Sequence, residues 1–274
     1  MLSQAEIERA AARLDEAERS RTQIRMLSLE HPGMTVDDAY AVQRTWVARK
    51  LAGGRTIKGH KIGLTSKAMR SLTGATEPDY GTLFDDWFVF EASTVSRSRM
   101  NRPLVEVELA FVLKDYLPGP SVSAADVIRA TDFILPSIEI VDSRQKGRGP
   151  KGLIDSIADA ASCGLVVLGG NPRRLDQIDI RRIGASLAIN GVIEESGVAS
   201  AVMGNPISSV AWLANKLHEF GVTPEQQRGF ASQVPAFASS GFPFWVCPGT
   251  STWNSLVGRL PNARANLVDA AEGD

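Results

Sequence analysis

PLVEVELAFVL, residues 103–113, is the most informative stretch of the sequence. Its residues alternate as in a β-strand, which places Val105, Val107 and Leu109 on one face. Glu106 and Glu108 share the other face, about 6.5–7 Å apart along the backbone. Because the other positions on both faces are apolar, the pattern predicts a buried strand that carries two carboxylates.

A third carboxylate occupies a second apolar strand. Residues 134–142 read ILPSIEIVD, and Glu139 lies there between Ile138 and Ile140. Buried like charges raise one another's pKa or require a counter-charge. Three carboxylates converging from two strands would suit a hard divalent cation, Mg²⁺ or Mn²⁺. The alternative is that each glutamate pairs with Lys or Arg or lies on a solvated face.

The elements around these strands predict an α+β fold, with a small helical N-terminal part on a β-rich core. Helices are expected over residues 1–25, 35–53, 65–74, 123–131 and 205–220, and a hairpin over 186–196 that turns at Asn190-Gly191. A short strand is expected at IKGHKIGL, residues 57–64. Helix and strand come in mixed order, without repeated βαβ units.

Composition limits the class of protein. The 274 residues are 43% hydrophobic and 22% charged, so the chain can bury a sizeable core. A net charge of −1 argues against binding to nucleic acid or an anionic membrane through bulk charge. No apolar run reaches 18 residues, so no membrane span is expected. Two cysteines and three histidines nearly exclude a zinc site. The N-terminus lacks a signal pattern, which predicts a cytoplasmic protein.

Three polar residues near the glycines of the N-terminal half could take part in chemistry. Lys61, in GHKIG, is a lysine within a glycine-bounded apolar strand and could be half-buried. His60 alternates to the other face and favours a structural role. Asp79, in EPDYG, is either a turn residue or an acid–base group.

Six motifs in order, GHKIGLTSKAM, EPDYG, VEVELAFVL, IEIVDSR, DSIAD and NGVIEESGVA, resemble the 2-oxo-acid hydratases of meta-cleavage pathways. That family lies within the fumarylacetoacetate hydrolase superfamily. The resemblance covers roughly residues 5–225. It implies the superfamily's β-roll, a mixed-sheet core preceded by a helical region, and a homo-oligomer.

The resemblance also implies a site. Glu106, Glu108 and Glu139 match the family's Mg²⁺ ligands, and Lys61 and Asp79 match its catalytic lysine and aspartate. Substrate contacts are predicted at the following positions: His60, Leu64, Arg144 and Asp155. Lys146, Arg148 and Lys151 follow Arg144 in a basic loop that either meets a second substrate carboxylate or is solvated.

The implied activity is Mg²⁺-dependent hydration of a 2-oxo-alkenedioate of the 2-oxohept-4-ene-1,7-dioate type, in homoprotocatechuate breakdown. The product is a 4-hydroxy-2-oxo acid. The metal stabilises the enolate, while Lys61 and Asp79 move protons. A 2-oxopent-4-enoate hydratase, a 4-oxalocrotonate decarboxylase, a catalytically impaired structural subunit and a metal-independent binding protein for aromatic-derived acids are the alternatives.

The chain departs from the family in two places. Asp159-Ala160 stands where the family has Asp-Asn, which removes an amide from the site. The resemblance ends near Thr223, and residues 229–258 contain no charged residue and no clear helix or strand period. We therefore expect an N-terminal helical region (1–75), a catalytic core (76–225) and an atypical tail (226–274). The tail is either a genuine irregular ending or a shifted reading frame.

Overall fold

The protein was studied as a computed structural model, which describes residues 1–147, 151–189, 192–222 and the backbone of Phe230–Gln233. The helices of these residues are α1 (Gln4–Ser20), α2 (Leu27–Glu30), α3 (Val36–Ala52), α4 (Lys67–Thr73), α5 (Ala124–Ala130), α6 (Leu153–Ala158) and α7 (Pro206–Glu219). The strands are β1 (Ile24–Arg25), β2 (Ile57–Gly63), β3 (Asp79–Phe84), β4 (Phe88–Val89), β5 (Leu104–Leu113), β6 (Thr131–Val141), β7 (Gln145–Lys146), β8 (Cys163–Leu168), β9 (Gly184–Ile189), β10 (Val192–Val198) and β11 (Phe230–Gln233).

Most helices begin where the sequence predicts, because short polar side chains satisfy their first amide groups. Reciprocal capping boxes join Ser3 to Glu6, Thr35 to Asp38, and Ser123 to Asp126. The first helix is shorter than predicted. It ends at Ser20, since Arg21 turns into the left-handed region with φ 57°. The chain then forms β1, which pairs in parallel with β7.

Seven strands form one mixed sheet in the order β3-β2-β11-β5-β6-β8-β4. β11 is the third strand in this order, parallel to β2 and antiparallel to β5. The sequence gives no sign of this strand, since residues 229–258 show no strand period. The rest of the predicted tail, and its two interpretations, lie outside the described residues.

The sheet curls strongly. Lys61 on β2 and Glu139 on β6 are separated in the strand order by β11 and β5. A flat sheet would hold β2 and β6 about 14 Å apart. Yet the Lys61 ammonium lies 2.6 Å from a Glu139 carboxylate oxygen. The face that carries these side chains must therefore be concave.

The helical N-terminal region packs beside this sheet. α1 packs on α3, and α3 packs on α6. Tyr40 and Trp46 of α3 are fully buried in the main core. The α+β prediction is confirmed, and so is the hairpin, which consists of β9 and β10. Its predicted turn at Asn190-Gly191 lies outside the described residues.

A helix that crosses a membrane must be both long and apolar. In the part of the chain that the structure describes, no helix meets both requirements for crossing a membrane. The proposed boundaries between regions at residues 75 and 225 stay predictions.

Replacing Trp46 by alanine should lower the free energy of unfolding by about 3–5 kcal/mol, because a fully buried indole leaves a cavity. Phe90→Ala is the matched control, since Phe90 is 87% exposed, and its effect should stay within about 0.5 kcal/mol. Urea unfolding measures both. Equal effects of the two changes would contradict the packing of α3 described here.

Candidate metal centre and active site

Three glutamates, which the sequence places on two apolar strands, converge on the concave face. Glu106 of β5 stands directly opposite Glu139 of β6, and Glu108 lies two residues further along β5. One carboxylate oxygen from each residue lies within 4.8 Å of the others. Glu108 and Glu139 are buried, and Glu106 is partly exposed. This set is called the carboxylate trio below.

The three carboxylates of the trio repel one another, and Lys61 lies beside them as a counter-charge. Burial, together with the charge of Glu139, raises the pKa of Glu106 to about 7. The ammonium of Lys61 lies 2.7 and 2.6 Å from the two oxygens of Glu139. Burial would lower the pKa of Lys61, but Glu139 and Glu108 outweigh it and raise that pKa. Lys61 is therefore a firmly protonated counter-charge.

The donor set of the carboxylate trio fits a hard divalent cation. Lys61 supplies one positive charge against three carboxylates, so one divalent cation would balance the cluster. Carboxylate oxygens are the ligands that Mg²⁺, Mn²⁺ and Ca²⁺ prefer. Ser137 adds a second observation, because it stands opposite Glu108 and its buried hydroxyl has no hydrogen-bond partner among the described residues. A bound cation with its waters would give that hydroxyl a partner.

Asp79 lies on the same face, at the start of β3. It pairs in register with Gly63 of β2, and a Cβ atom on Gly63 would lie 2.3 Å from the Asp79 Oδ1 atom. Both oxygens of Asp79 are buried. Burial raises the pKa of Asp79, against the opposing effects of Ser156 and Lys61. Asp79 is thus a carboxyl group that can hold a proton.

The other predicted contacts of β2 lie elsewhere. His60 points to the opposite face of the strand, where its ring packs edge-on against Tyr80. Burial lowers the pKa of His60 to about 4, so the imidazole is neutral at pH 7. Leu64 is half-buried just beyond β2 with φ 55°, and its carbonyl accepts a hydrogen bond from Arg70. Roles in substrate binding for His60 and Leu64 stay predictions.

Arg144 is held by the protein itself. Its Nε atom donates to Asp159 Oδ1 at 2.6 Å, and its guanidinium lies over the rings of Trp46 and Trp87. The remaining guanidinium nitrogens donate to backbone carbonyls of Asp159 and Cys163. These contacts favour a structural role, and the substrate contact predicted for Arg144 stays untested.

Asp155 also has partners within the protein. Its carboxylate accepts hydrogen bonds from the backbone nitrogen and the hydroxyl of Ser28, at the start of the chain's second helix. It thereby joins α2 to α6. Of the basic loop, Lys151 bonds to Asp159 and Ser162, Lys146 is exposed, and Arg148 lies outside the described residues.

Two groups at the site were missed by sequence reasoning. Ser137 lies two residues before Glu139, and the alternation of β6 could have placed it on the same face. The carbonyl of Ala161 accepts a hydrogen bond from Lys61 at 3.0 Å. A backbone carbonyl leaves no trace in the residue type, so no sequence signal could have found it.

Comparison with known proteins gives consistent results. No family model matches the chain. It is 48% identical over 236 residues to a 2-oxo-hept-4-ene-1,7-dioate hydratase of Escherichia coli, covering 82% of this chain and 88% of that protein. It is 40% identical over 191 residues to a 2-hydroxypent-2,4-dienoate hydratase of Pseudomonas putida, covering 69% and 85%.

The overall fold is similar to that of a solved structure. The 4-oxalocrotonate decarboxylase from Pseudomonas putida G7, complexed with magnesium and adipate, superposes with a TM-score of 0.80 at 34% identity. The match covers 86% of this chain and 88% of that one. Fold and carboxylate trio together define a metal-binding enzyme of this α+β class. The chain belongs to the 2-oxo-acid hydratase family, and the resemblance drawn from its motifs is confirmed.

Glu106→Gln should weaken Mg²⁺ binding at least about tenfold, because it removes one charged oxygen donor and keeps the side-chain shape. Isothermal titration of Mg²⁺ into the protein measures the change. Glu194→Gln, an exposed glutamate on β10, is the control and should bind as the wild type does. If Glu106→Gln binds Mg²⁺ as tightly as wild type, Glu106 is not a ligand of the metal.

Asp159→Asn should lower the free energy of unfolding by about 3–5 kcal/mol near pH 7, because it leaves Arg144 buried without its carboxylate. Burial would raise the pKa of Asp159, but Arg144 and Lys151 outweigh it and hold that pKa below its usual range. The stabilisation is therefore present above the unfolded-state pKa and is lost as pH falls through the folded one. The difference in the free energy of unfolding between wild type and Asp159→Asn should shrink below about pH 4. Urea unfolding at several pH values measures this difference. A difference that does not change with pH would contradict the role of the ion pair between Arg144 and Asp159.

Proposed function

We propose that the protein catalyses the Mg²⁺-dependent hydration of a 2-oxo-alkenedioate of the 2-oxohept-4-ene-1,7-dioate type, which gives a 4-hydroxy-2-oxo acid. The carboxylate trio, beside a protonated lysine and a buried aspartic acid, is the observation that carries the proposal. The 48% identity to a protein named for this hydration supports the choice of substrate.

The reaction requires movement of protons and addition of water. In such a substrate a methylene carbon, C3, lies between the 2-oxo group and the C4–C5 double bond. A proton leaves C3 and one is added at C5, which brings the double bond into conjugation with the ketone. Water then adds its oxygen at C4 and a proton returns to C3. The balance is one water consumed.

Glu106, Glu108 and Glu139 would hold the cation. When bound, Mg²⁺, or Mn²⁺ in its place, supplies Lewis-acid stabilisation of the negative charge that develops on the keto oxygen. Lys61 adds a fixed positive charge next to Glu139, in a site where burial strengthens every charge interaction. That charge favours the enolate over the ketone.

Asp79 is the candidate for proton transfer. Because its pKa is raised, the Asp79 carboxyl group can take up a proton and return it more readily than an ordinary aspartate. Both of its oxygens are buried on the concave face, and the hydrogen bond from Ser156 only partly offsets the rise in its pKa. Lys61, with its raised pKa, is suited to donating a hydrogen bond rather than to acting as a base.

A decarboxylase is the second candidate, because the chain superposes on 4-oxalocrotonate decarboxylase with a TM-score of 0.80. The two activities are separated by product: hydration retains both carboxylates, whereas decarboxylation releases CO₂. A panel of 2-oxohept-4-ene-1,7-dioate, 2-oxopent-4-enoate and 4-oxalocrotonate, each assayed for hydration and CO₂, assigns the reaction. No turnover of any of them by folded protein that binds Mg²⁺ would instead support the impaired subunit.

We propose in addition a homo-oligomer in the cytoplasm that acts in homoprotocatechuate degradation. Val192 and Ile193 on β10 are more than half exposed, which supports a contact between copies. Light scattering at the exit of a sizing column measures the mass. A monomer at assay concentration would contradict the oligomer.

Asp79→Asn should reduce kcat about 10²- to 10⁴-fold, because it removes proton transfer and keeps the shape of the side chain. Steady-state hydration of the dioate measures kcat, and titration of oxalate with Mg²⁺ checks that the site still binds a 2-oxo-acid mimic. Asp176→Asn, an exposed aspartate, is the control and should retain wild-type kcat. If Asp79→Asn loses less than threefold in kcat, Asp79 is excluded from the reaction.

A further inference from the structure

Residues 160–162 form a backbone turn that is unusual for their sequence. Ala160, Ala161 and Ser162 all adopt positive φ, at 49°, 50° and 60°. Residues with a Cβ atom rarely adopt this region, and three in succession require strong support from their surroundings. Such segments persist where neighbouring structure enforces them, often at functional sites.

The turn reaches the site through one backbone oxygen. The Ala161 carbonyl accepts a hydrogen bond from the Lys61 ammonium at 3.0 Å. The other described acceptor of Lys61 is Glu139, a member of the carboxylate trio. A cation bound to Glu139 would compete for that carboxylate. The Ala161 oxygen is not one of the proposed ligands of the cation. It can therefore hold the Lys61 ammonium in place when the carboxylate trio binds a cation.

A bare patch on the sheet makes room for the turn. Lys61 pairs in register with Gly81, so both lie on the face that carries Asp79. A Cβ atom on Gly81 would lie 2.1 Å from the Ala160 carbonyl oxygen, far inside contact distance. Gly81 has no positive φ, so its lack of a side chain is required by space alone.

The far side of the turn is anchored independently. The Ser162 hydroxyl bonds to Lys151 at 2.6 Å, and the Ser162 carbonyl accepts from the Asp142 amide at 2.8 Å. Ala160 is fully buried. The turn is thus enclosed between this polar cluster and the sheet.

We propose that the turn Ala160–Ser162 is the positioning element for Lys61, and that Gly81 is the residue that admits it. The Ala161 carbonyl holds the Lys61 ammonium beside the carboxylate trio, and a side chain at position 81 displaces the turn. Because it assigns Lys61 a part in the reaction, this inference rests on the proposed function.

Gly81→Ala is the direct test, compared with Lys61→Ala and with the double variant. Gly81→Ala should lower kcat at least tenfold, while the Kd for oxalate measured with Mg²⁺ stays within threefold of wild type. The double variant should be no slower than Lys61→Ala alone, since both changes act through the same ammonium. Gly33→Ala, where a Cβ meets nothing within 4 Å, is the matched control and should retain wild-type kcat.

Three results would overturn the inference. One is wild-type kcat in folded Gly81→Ala. Another is a double variant whose loss of kcat equals the product of the fold-losses in the two single variants. The third is a parallel loss of kcat and oxalate binding, which indicates general distortion.

Two further measurements keep the test decisive. If Gly81→Ala does not fold, Ser162→Ala loosens the turn from its other side, and it should slow wild type but not Lys61→Ala. If wild type itself does not hydrate the dioate, the proposed function fails first. A crystal structure of Gly81→Ala with Mg²⁺ and oxalate then tests the positioning alone, and an unchanged contact between Lys61 and Ala161 would overturn it.

Discussion

The ion pair between Lys61 and Glu139 is the interaction on which the rest of the structure depends. Both groups are almost completely buried, and an isolated charge at that depth would be strongly unfavourable. Their contact at 2.6 Å joins strands that a flat sheet would hold about 14 Å apart. The curl that this contact requires creates the concave face, and the same face gathers Glu106, Glu108 and Asp79.

The pair also determines the electrostatics of the site. One ammonium cannot neutralise three carboxylates, so the cluster keeps a deficit of positive charge that a divalent cation would fill. Burial raises the pKa of Asp79, which suits a group that carries a proton. Low solvent access also strengthens the interactions between the Lys61 charge and its neighbours. The proposed metal binding and the proposed proton transfer therefore have one physical cause, which is low solvent access.

A second buried ion cluster is dedicated to stability. Arg144 and Asp159 join the helical N-terminal region to the sheet, and Arg144 lies over the rings of Trp46 and Trp87. Asp159 directly precedes the turn that reaches Lys61. The stabilising cluster and the reactive one are thus adjacent along the chain, which links the integrity of the core to the geometry of the site.

Residue types alone were enough to predict the α+β class, the helix starts and the candidacy of Glu106, Glu108 and Glu139, because capping and strand alternation are local rules. The motifs of the sequence also determined the family. The sequence could not reveal β11, because the four residues Phe230–Gln233 show no alternation of apolar and polar types. It favoured a substrate contact for Arg144, whereas the fold surrounds that side chain with protein groups. Only the tertiary structure decided that Lys61 meets Glu139, that the Ala161 carbonyl holds Lys61, and that Gly81 must lack a side chain. These depend on distances between segments far apart in the chain, and a backbone oxygen or an excluded Cβ atom has no letter in the sequence.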